Sequence, residues 1–498
     1  MARGRAAGSV RRSRAAERRS RAAERRSRAA ERRSRAAERG SGGGRPVPLW
    51  WAPRGALVAL ALLAPLVLGL LAGCQRYDTL RRDLDTLERW AEVRGEVSVP
   101  EWEGGPLVVA AFRAPEREGA PFTRADVQEL ARPGAFLFRL EPGAYSFCVF
   151  EDRDGDRTHG PDEPYGVWEG FEPVALAPAE RLERLRLVAG SRGAGPPRRP
   201  APDCRSMRVG ELASLDEPRF DAAHGQLGVW EPLAFLRERA YGLFVLREDA
   251  PAEPGSSAVR VPVVFVHGIT GYAREFEEAV AGLDRARFEP WVFQYASGLP
   301  LETHAERLAQ ALREMRARRG VGRVCLVAHS MGGLVSRAAF DHLGAGSPEV
   351  PLFVTLASPL AGHEGAAAGV AMAPVVVPAW NDLVRGSPFL EGLYDPPLPA
   401  TTHYGLFFAY ASSSPWSGAP GDGVVTLESQ LRAEAQAEAS WMRGFQAGHA
   451  DILRDEQTLA ELRLLLEQRC AAEAGAAEVP IGTSVDLGAR APGDAADP

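Results

Sequence analysis

The feature that most constrains the fold is a regular alternation of buried strands and helices in the second half of the chain. Two short runs, Val261–Val266 and Val324–Val327, are apolar and largely β-branched, which is typical of strands buried inside a parallel sheet. Helical patterns occupy Arg274–Leu283 and Glu302–Arg318. Strands that alternate with helices of this length predict a doubly wound, mostly parallel α/β sheet.

A serine follows the second of these strands at a turn of small residues. The segment Ala328–Gly333 reads AHSMGG and leads into a helical stretch at about 334–343. A nucleophile elbow needs an entering strand, a sharp turn, a leaving helix and small residues around the serine. The pattern therefore predicts Ser330 as a nucleophile above the carboxyl edge of the sheet, with the helix N-terminus favouring negative charge beside it. His329 is predicted to pack beside the elbow.

A His-Gly turn follows the first strand and predicts the groups that would stabilise an oxyanion. Acyl transfer passes through an oxyanion that backbone N–H donors must meet in advance. The predicted donors are the amide of Ile269, after His267-Gly268, and the amide of Met331, after the nucleophile.

The order of residues along the chain selects the other two members of a catalytic triad. This type of sheet orders them serine, acid, histidine, which predicts Asp422 as the acid that orients the imidazole and His449 as the general base. Asp382 and Glu428 are competing carboxylates. Asp382 precedes a strand that the fold still needs, and Glu428 lies past the turn of the acid loop.

Val-His-Gly-Ile-x-Gly followed by Ala-His-Ser-Met-Gly-Gly closely resembles the paired motifs of bacterial and eukaryotic α/β-hydrolase lipases. The similarity extends from Val261 to about Leu453, and Gly421–Val425 resembles the acid loop of these lipases. The first elbow residue is Ala328 instead of glycine, as in some lipase subfamilies. The resemblance implies an α/β-hydrolase sheet and a carboxylic-ester hydrolase that works on acyl or lipid esters through an acyl-enzyme, with no cofactor required for catalysis.

Two alternatives stay open at this point. The same triad would serve an acyltransferase or a thioesterase, and a degenerate fold would serve as a non-catalytic binding or scaffold lipoprotein. The apolar stretch Gly365–Trp380 is either a lid over the nucleophile or a helix packed on the core. Phe389, Leu390 and Leu393 are candidates for lining an acyl pocket.

An uncharged apolar segment, Gly55–Gly73, precedes Cys74 and is just long enough to span a bilayer. Leu71–Cys74 resembles the lipobox of bacterial lipoproteins, which implies that Cys74 becomes the lipidated N-terminus. The alternative is an uncleaved signal anchor in the inner membrane. Both interpretations place the remaining chain outside the cytoplasm. The residue after Cys74 is Gln75 and not aspartate. By resemblance to bacterial lipoproteins, this favours attachment to the outer membrane, with the protein facing the periplasm.

Charge is distributed unevenly around a formal net charge of -6. Residues 1–54 hold a basic seven-residue repeat, interpreted as a low-complexity tract, with a basic arm that binds lipid or nucleic acid as the alternative. The acidic body makes nucleic-acid binding a poor candidate, because that function needs clustered cations.

Short apolar runs and turn residues between 95 and 190 predict a small β-sandwich domain. Within it, Asp152, Asp154, Asp156 and Glu163 suit a structural calcium ion, because calcium takes several hard oxygen ligands. The alternative is a solvated acidic turn.

The remaining cysteines lead to two further predictions. Cys148 and Cys204 could pair in an oxidising compartment. Cys325 lies in an apolar strand and is predicted to be a buried small hydrophobe. No Cys/His spacing suggests zinc.

Together these patterns predict a chain of several parts. They are a low-complexity region at 1–54, a signal or membrane segment with the lipobox at 55–74, a spacer helix at 75–94, a β-sandwich at 95–190, a linker at 191–205, an α/β-hydrolase domain at 206–470 and a disordered tail at 471–498.

Overall fold

The computed structural model describes residues 75–117, 120–157, 159–190, 207–246 and 260–470. The predictions for the low-complexity region, the lipobox with Cys74, the linker and the tail lie outside these residues. No helix in the described ranges combines the length and the apolar character that crossing a bilayer requires.

The described residues form two groups of elements, a strand-rich group up to residue 190 and an alternating group of strands and helices after it. The strands are β1 Ala91–Ser98, β2 Leu107–Arg113, β3 Thr123–Leu130, β4 Gly134–Leu140, β5 Gly143–Glu151, β6 Tyr165–Val167, β7 Val174–Leu176, β8 Arg181–Val188, β9 Arg208–Ala213, β10 Gly242–Leu246, β11 Val261–Val266, β12 Phe288–Gln294, β13 Arg323–His329, β14 Glu349–Leu356, β15 His403–Ala409, β16 Ser412–Ser413, β17 Pro420–Gly421 and β18 Trp441–Phe445. The α-helices are α1 75–87, α2 Ala222–Trp230, α3 Pro232–Arg237, α4 Glu277–Ala281, α5 Leu301–Arg319, α6 Met331–Ala339, α7 Glu364–Met372, α8 Pro378–Leu383, α9 Pro388–Gly392, α10 Leu427–Gln430, α11 Ala433–Glu438 and α12 Glu456–Leu465.

The first eight strands form the predicted β-sandwich. One sheet has the order β4-β1-β8, and the other has the order β3-β2-β5-β6, with β7 paired to β5. Val93 and Phe138 of the first sheet share one core with Val109 and Phe147 of the second. The two sheets therefore bury a common apolar face, as a sandwich must.

Helix α1 packs on the large domain. Leu80 is buried in the core of that domain, and Leu84 packs against the same core. The Leu233 amide, at the start of α3, donates to the Asp83 carboxylate at 3.0 Å. The helix ends at residue 87 and β1 begins at Ala91, so the residues predicted as a spacer include part of the first sheet.

The large domain is built on an eight-stranded sheet with the order β18-β15-β14-β13-β11-β12-β10-β9. The six strands from β11 to β18 in this sheet run parallel, and β10 runs antiparallel to β12. Helices α5 and α6 contribute to the core on one face, and α4 and α12 contribute to the core on the other. Helices on both faces explain why the central strands are apolar along their whole length.

Cys325 and Cys470 form a disulfide that joins the central strand β13 to the end of the described chain. Cys325 is fully buried, as the sequence predicts. Its interpretation as a simple small hydrophobe was wrong, because its partner lies 145 residues away and only the tertiary fold brings it near. Cys148 is a buried free thiol rather than a disulfide partner, and Cys204 lies outside the described residues.

Candidate active site

The turn between β13 and α6 holds Ser330 in a strained backbone conformation. Its φ and ψ are 54° and -129°, a region that non-glycine residues rarely adopt and that is common at functional sites. Two hydrogen bonds fix the turn, from the Ser330 amide to the Leu356 carbonyl at 2.9 Å and from the Gly333 amide to the Ser330 carbonyl at 3.0 Å. A Cβ on Gly332 would lie 2.3 Å from the Val266 carbonyl oxygen, so this position requires glycine.

Three side chains from distant parts of the chain meet at the carboxyl edge of the sheet. The His449 ring contacts Ser330 Oγ through Nε2 at 2.9 Å and Asp422 Oδ2 through Nδ1 at 2.7 Å. Because an ionised carboxylate only accepts, Nδ1 carries the proton and Nε2 is free to accept from the serine hydroxyl. The structure thus brings together the three residues that the sequence analysis selected as nucleophile, base and acid.

The loop after β17 holds the Asp422 carboxylate in one orientation. Its Oδ1 accepts from the Val424 amide at 2.8 Å and the Val425 amide at 2.6 Å. Its Oδ2 also accepts from the Gln430 side chain at 3.3 Å. These donors stabilise the buried carboxylate and leave Oδ2 directed at the imidazole.

The two competing carboxylates, Asp382 and Glu428, bind other groups. Asp382 accepts from the Leu301 amide at 2.8 Å at the start of α5. Glu428 is largely exposed and pairs with Arg385 at 2.8 Å. Neither carboxylate hydrogen-bonds to His449.

Burial controls the charge of His449. It lowers the pKa of the imidazole below its usual value, and the hydrogen bond with Asp422 opposes this shift only in part. A ring with a lowered pKa is neutral at physiological pH. Neutral imidazole is the form that can take a proton from serine.

The His-Gly turn lies directly against the nucleophile. A Cβ on Gly268 would lie 2.7 Å from Ser330 Cβ, so the backbone here approaches more closely than any other residue type would allow. Ile269 and Met331 line the same cavity as the serine. Met331 is the first residue of α6, where backbone N–H groups have no acceptor within the helix.

Buried contacts fix the position of this turn. His267 Nδ1 donates to the Gly268 carbonyl at 2.8 Å, and Nε2 accepts from the Tyr295 amide at 3.3 Å. The Tyr295 hydroxyl donates to the His267 carbonyl at 2.6 Å. Burial also lowers the pKa of His267, which maintains the neutral ring that this pattern needs.

Ser330 lies on an elbow between a parallel strand and a helix, and Asp422 and His449 lie on later loops at the same edge of the sheet. This combination identifies the type of fold. The chain has the α/β-hydrolase fold. Numbered along the chain from β9, its large sheet has the order 1-2-4-3-5-6-7-8 from one edge to the other.

Part of the chain matches a known protein family. A family model described as the PGAP1-like alpha/beta domain matches residues 292–369. No curated protein sequence matches the chain.

Similar solved structures include two lipases and a bacterial gene product. The mature lipase BlEst2 of Bacillus licheniformis is 20% identical, with a TM-score of 0.35, and the match covers 45% of this chain and 97% of that one. Aspergillus fumigatus lipase B is 17% identical, with a TM-score of 0.34, over 44% of this chain and 55% of that one. A Listeria innocua gene product is 14% identical, with a TM-score of 0.34, and the match covers 42% of this chain and 95% of that one. Identities and TM-scores this low carry no information about substrate.

His329 has a more specific place in this site than packing beside the elbow. Its Nε2 donates to the backbone carbonyl of His449 at 2.9 Å, and its Nδ1 lies 3.4 Å from the Glu275 carboxylate. The ring therefore ties the histidine loop to the nucleophile strand. The sequence carried no signal for this contact, because it joins residues 120 positions apart.

Above Ser330 lies a cavity of about 760 Å³. Helix α7 and the segment before α8 form one side of it through small and apolar residues, and Met372, Trp416 and Val424 on its wall are among the large apolar side chains that are exposed. The predicted apolar stretch thus lines the cavity beside Ser330, and Ala366, Val377 and Ala379 within it are also buried in the core, so the structure shows features of both alternatives. Leu390 and Leu393, by contrast, are buried in the core and do not line this cavity.

The predicted calcium ligands come together only in part. The carboxylates of Asp152, Asp154 and Asp156 lie within 4.8 Å of one another. Glu163 instead accepts from the Arg153 amide at 2.7 Å and from the Gly160 amide at 2.6 Å. Calcium takes about six to eight oxygens, so three carboxylates without Glu163 are an incomplete set. None of them lines the cavity that contains Ser330.

Proposed function

We propose that this protein is a serine hydrolase of carboxylic acyl esters, with Ser330 as nucleophile, His449 as general base and Asp422 as the orienting acid. The supporting observation is the single imidazole ring that bridges the serine hydroxyl at 2.9 Å and the carboxylate at 2.7 Å. This arrangement is the one that activates serine for acyl transfer.

The proposed reaction has two halves. His449 Nε2 takes the proton of Ser330 as Oγ attacks the ester carbonyl, and the oxyanion accepts from the amides of Ile269 and Met331. The imidazolium, stabilised by Asp422, then gives its proton to the departing alcohol, which leaves an acyl-enzyme. Water, deprotonated by the same ring, attacks the acyl carbon and releases the carboxylic acid and free serine.

The surroundings of the serine favour an acyl chain in the substrate. The cavity has room for a chain of lipid size at about 760 Å³, and α7 presents mainly alanine and glycine to it. Apolar walls with few polar groups favour apolar ligands. The exposed Met372 and Trp416 on the same wall support a substrate that is presented from a lipid phase.

We further propose that the enzyme is a lipoprotein of the cell envelope, attached through Cys74 and facing the periplasm, with an inner-membrane signal anchor as the alternative. The lipobox resemblance is the basis for this location. The Cys325–Cys470 disulfide supports it, because disulfides persist in oxidising compartments and are rare in the cytosol.

A fluorophosphonate probe and a series of p-nitrophenyl esters would test the reaction. We expect the probe to label Ser330, and Ser330→Ala to lose labelling and to lower kcat by at least about 10³-fold. Ser347→Ala, on a turn away from the site, is the matched control and should behave as wild type. An unlabelled, inactive protein that folds normally would favour the scaffold alternative.

Added acceptors would separate hydrolysis from the other acyl-transfer reactions. Hydrolysis predicts free acid as the main product in the presence of glycerol or short alcohols. Dominant transfer to the alcohol would indicate an acyltransferase, and a strong preference for thioesters would indicate a thioesterase.

A further inference from the structure

A second cavity of about 770 Å³ lies apart from Ser330, between α1, the β-sandwich and the large domain. One side of it is apolar and is formed by α1, α3 and the residues before α5. Its apolar lining includes Leu84, Leu87, Leu233, Leu236 and Leu299. A pocket of this volume with leucine walls can hold an aliphatic chain.

A buried arginine lines the same cavity without an ionic partner. Arg307, on α5, is only 6% exposed. Its guanidinium donates to the Gln310 side chain at 2.9 Å, and no carboxylate of the described residues lies within salt-bridge distance of it. A buried cation that meets only a neutral amide is costly, and an anion in the cavity would relieve that cost.

The neighbouring charges leave this cation uncompensated. Arg139, also on the cavity wall, pairs with Glu306 at 2.8 Å and Glu92 at 3.6 Å. Glu306 also pairs with Arg94 at 2.9 Å. These two glutamates therefore already face two arginines, and Arg307 adds one positive charge to the group.

Two other polar groups of the wall bear on the environment of Arg307. Burial lowers the pKa of Arg139, and repulsion from Arg307 adds to this shift. The indole Nε1 of Trp90, which also lines the cavity, is a buried donor without an acceptor. The lining as a whole holds four arginines and four glutamates, the latter being Glu88, Glu92, Glu141 and Glu180. The uncompensated charge is therefore local to Arg307, which is buried and has no ion pair among the described residues.

We propose that this cavity binds a single-chain amphiphile with one negative charge, a fatty acid, with its carboxylate at Arg307 and its chain along the leucine wall. A guanidinium matches a carboxylate through two parallel N–H···O bonds, and the Trp90 indole supplies a further donor. Arg307 is a single buried cation without an ion pair, so a monoanion is enough to compensate it, and a phosphate dianion would add a second negative charge beside the glutamates of the wall. A fatty acid is also the product class of the proposed reaction, but the binding site does not depend on that reaction.

Binding of the fluorescent fatty acid cis-parinaric acid to the full-length protein would test the proposal. We expect saturable binding that weakens at least about tenfold in Arg307→Gln, because the carboxylate loses its cation. Arg316→Gln is the matched control, since it removes an arginine of the same helix that donates to the Ser347 carbonyl instead. It should bind as wild type.

Two further measurements separate the effect of the Arg307 charge from the effect of the cavity volume. Leu87→Trp fills the cavity from its α1 side and should also weaken binding, whereas the uncharged methyl ester of the probe should bind weakly to wild type and equally to Arg307→Gln. Competition by lysophosphatidic acid tests the head group, and it should be weaker than competition by oleate. Melting temperatures of all variants check that each one is folded.

Equal affinity of wild type and Arg307→Gln, or equal affinity for the acid and its methyl ester, would overturn the proposal. So would stronger competition by the phosphate lipid. The readout is binding, so it stays valid whether or not Ser330 turns over esters. Loss of ester hydrolysis in Ser330→Ala with unchanged probe binding would show that the two sites are separate.

Discussion

Two effects act on the pKa of His449 in opposite directions. Burial favours the neutral ring, and the Asp422 carboxylate favours the charged ring. Burial is the larger, so the pKa is lowered. The proposed base works only when the ring is neutral. The balance at this one residue therefore sets the acid limit of the reaction.

We predict that kcat/KM falls with acid in a single-proton limb whose midpoint lies below about pH 6.5. The reason is that the folded protein holds the imidazole neutral to lower pH than free histidine. A pH profile on a neutral p-nitrophenyl ester measures the midpoint. A midpoint above about pH 7 would mean that Asp422 outweighs burial, contrary to the charge balance proposed for His449.

His329 provides a second prediction at this scale. Loss of its hydrogen bond to the His449 carbonyl in His329→Ala should lower kcat about tenfold, which is about 1.4 kcal/mol of barrier, with little change in KM. His329→Gln retains a donor and should recover part of the rate. A defect in KM alone, or no recovery with glutamine, would argue against a positioning role.

The meeting of Ser330, Asp422 and His449 could be predicted from the sequence, because Ser330 follows a recognisable strand and the other two were selected by their order along the chain. The contact of His329 with His449 could not, since no local pattern encodes a bond between loops at two different strand ends. Glu163 shows the opposite failure. Its spacing suits a ligand, but nearby backbone amides occupy its oxygens.

The elbow joins β13 to α6 only because its glycines leave room for neighbouring backbone. A Cβ on Gly332 would meet carbonyl oxygens of Val266 and His267 at 2.3 Å and 2.5 Å. Both atoms belong to the end of β11 and the turn after it. Helix α6 can therefore pack against the end of β11 only because residue 332 is glycine and has no side chain.

We predict that Gly332→Ala destabilises the protein by at least about 3 kcal/mol, because rigid backbone must move to admit the methyl group. Gly392→Ala is the matched control. Its Cβ would meet nothing within 4 Å, so its effect should stay within about 0.5 kcal/mol. Denaturant unfolding of both variants measures the difference, and equal midpoints would contradict the close packing of α6 on the end of β11.

The sequence indicated the strands and helices around the elbow, because their apolar runs are long and periodic, but it did not indicate β9, β10 or β18. It predicted a helix at 302–318 and a strand at 324–327, and the structure has a slightly longer element at each place. The contact of α1 with the large domain was not predictable. Its leucines show that a face is apolar, but not which partner covers it.

One covalent bond ties the large domain together. Cys325 lies in the middle of the sheet and Cys470 lies at the end of the described chain, beyond α12. The bond constrains the unfolded chain over 145 residues, and long loops lose the most entropy on closure.

We predict that replacing Cys325 and Cys470 together with alanine lowers the free energy of unfolding by about 2–5 kcal/mol. Cys148→Ala, which removes a buried thiol that has no disulfide partner, is the control and should cost less, about 1 kcal/mol. Urea melts under non-reducing conditions measure both. A double variant as stable as wild type would show that the bond contributes nothing to the fold.

Ser330, Asp422 and His449 all fall between the two cysteines, as do the helices α7 and α8 beside the cavity. A protease that cuts once within this span therefore yields two fragments that still travel as one molecule. In a protease-rich surrounding, such a nicked protein keeps Ser330, Asp422 and His449 in one covalently linked molecule. It would run as a single band until a thiol reductant is added, and only then as two.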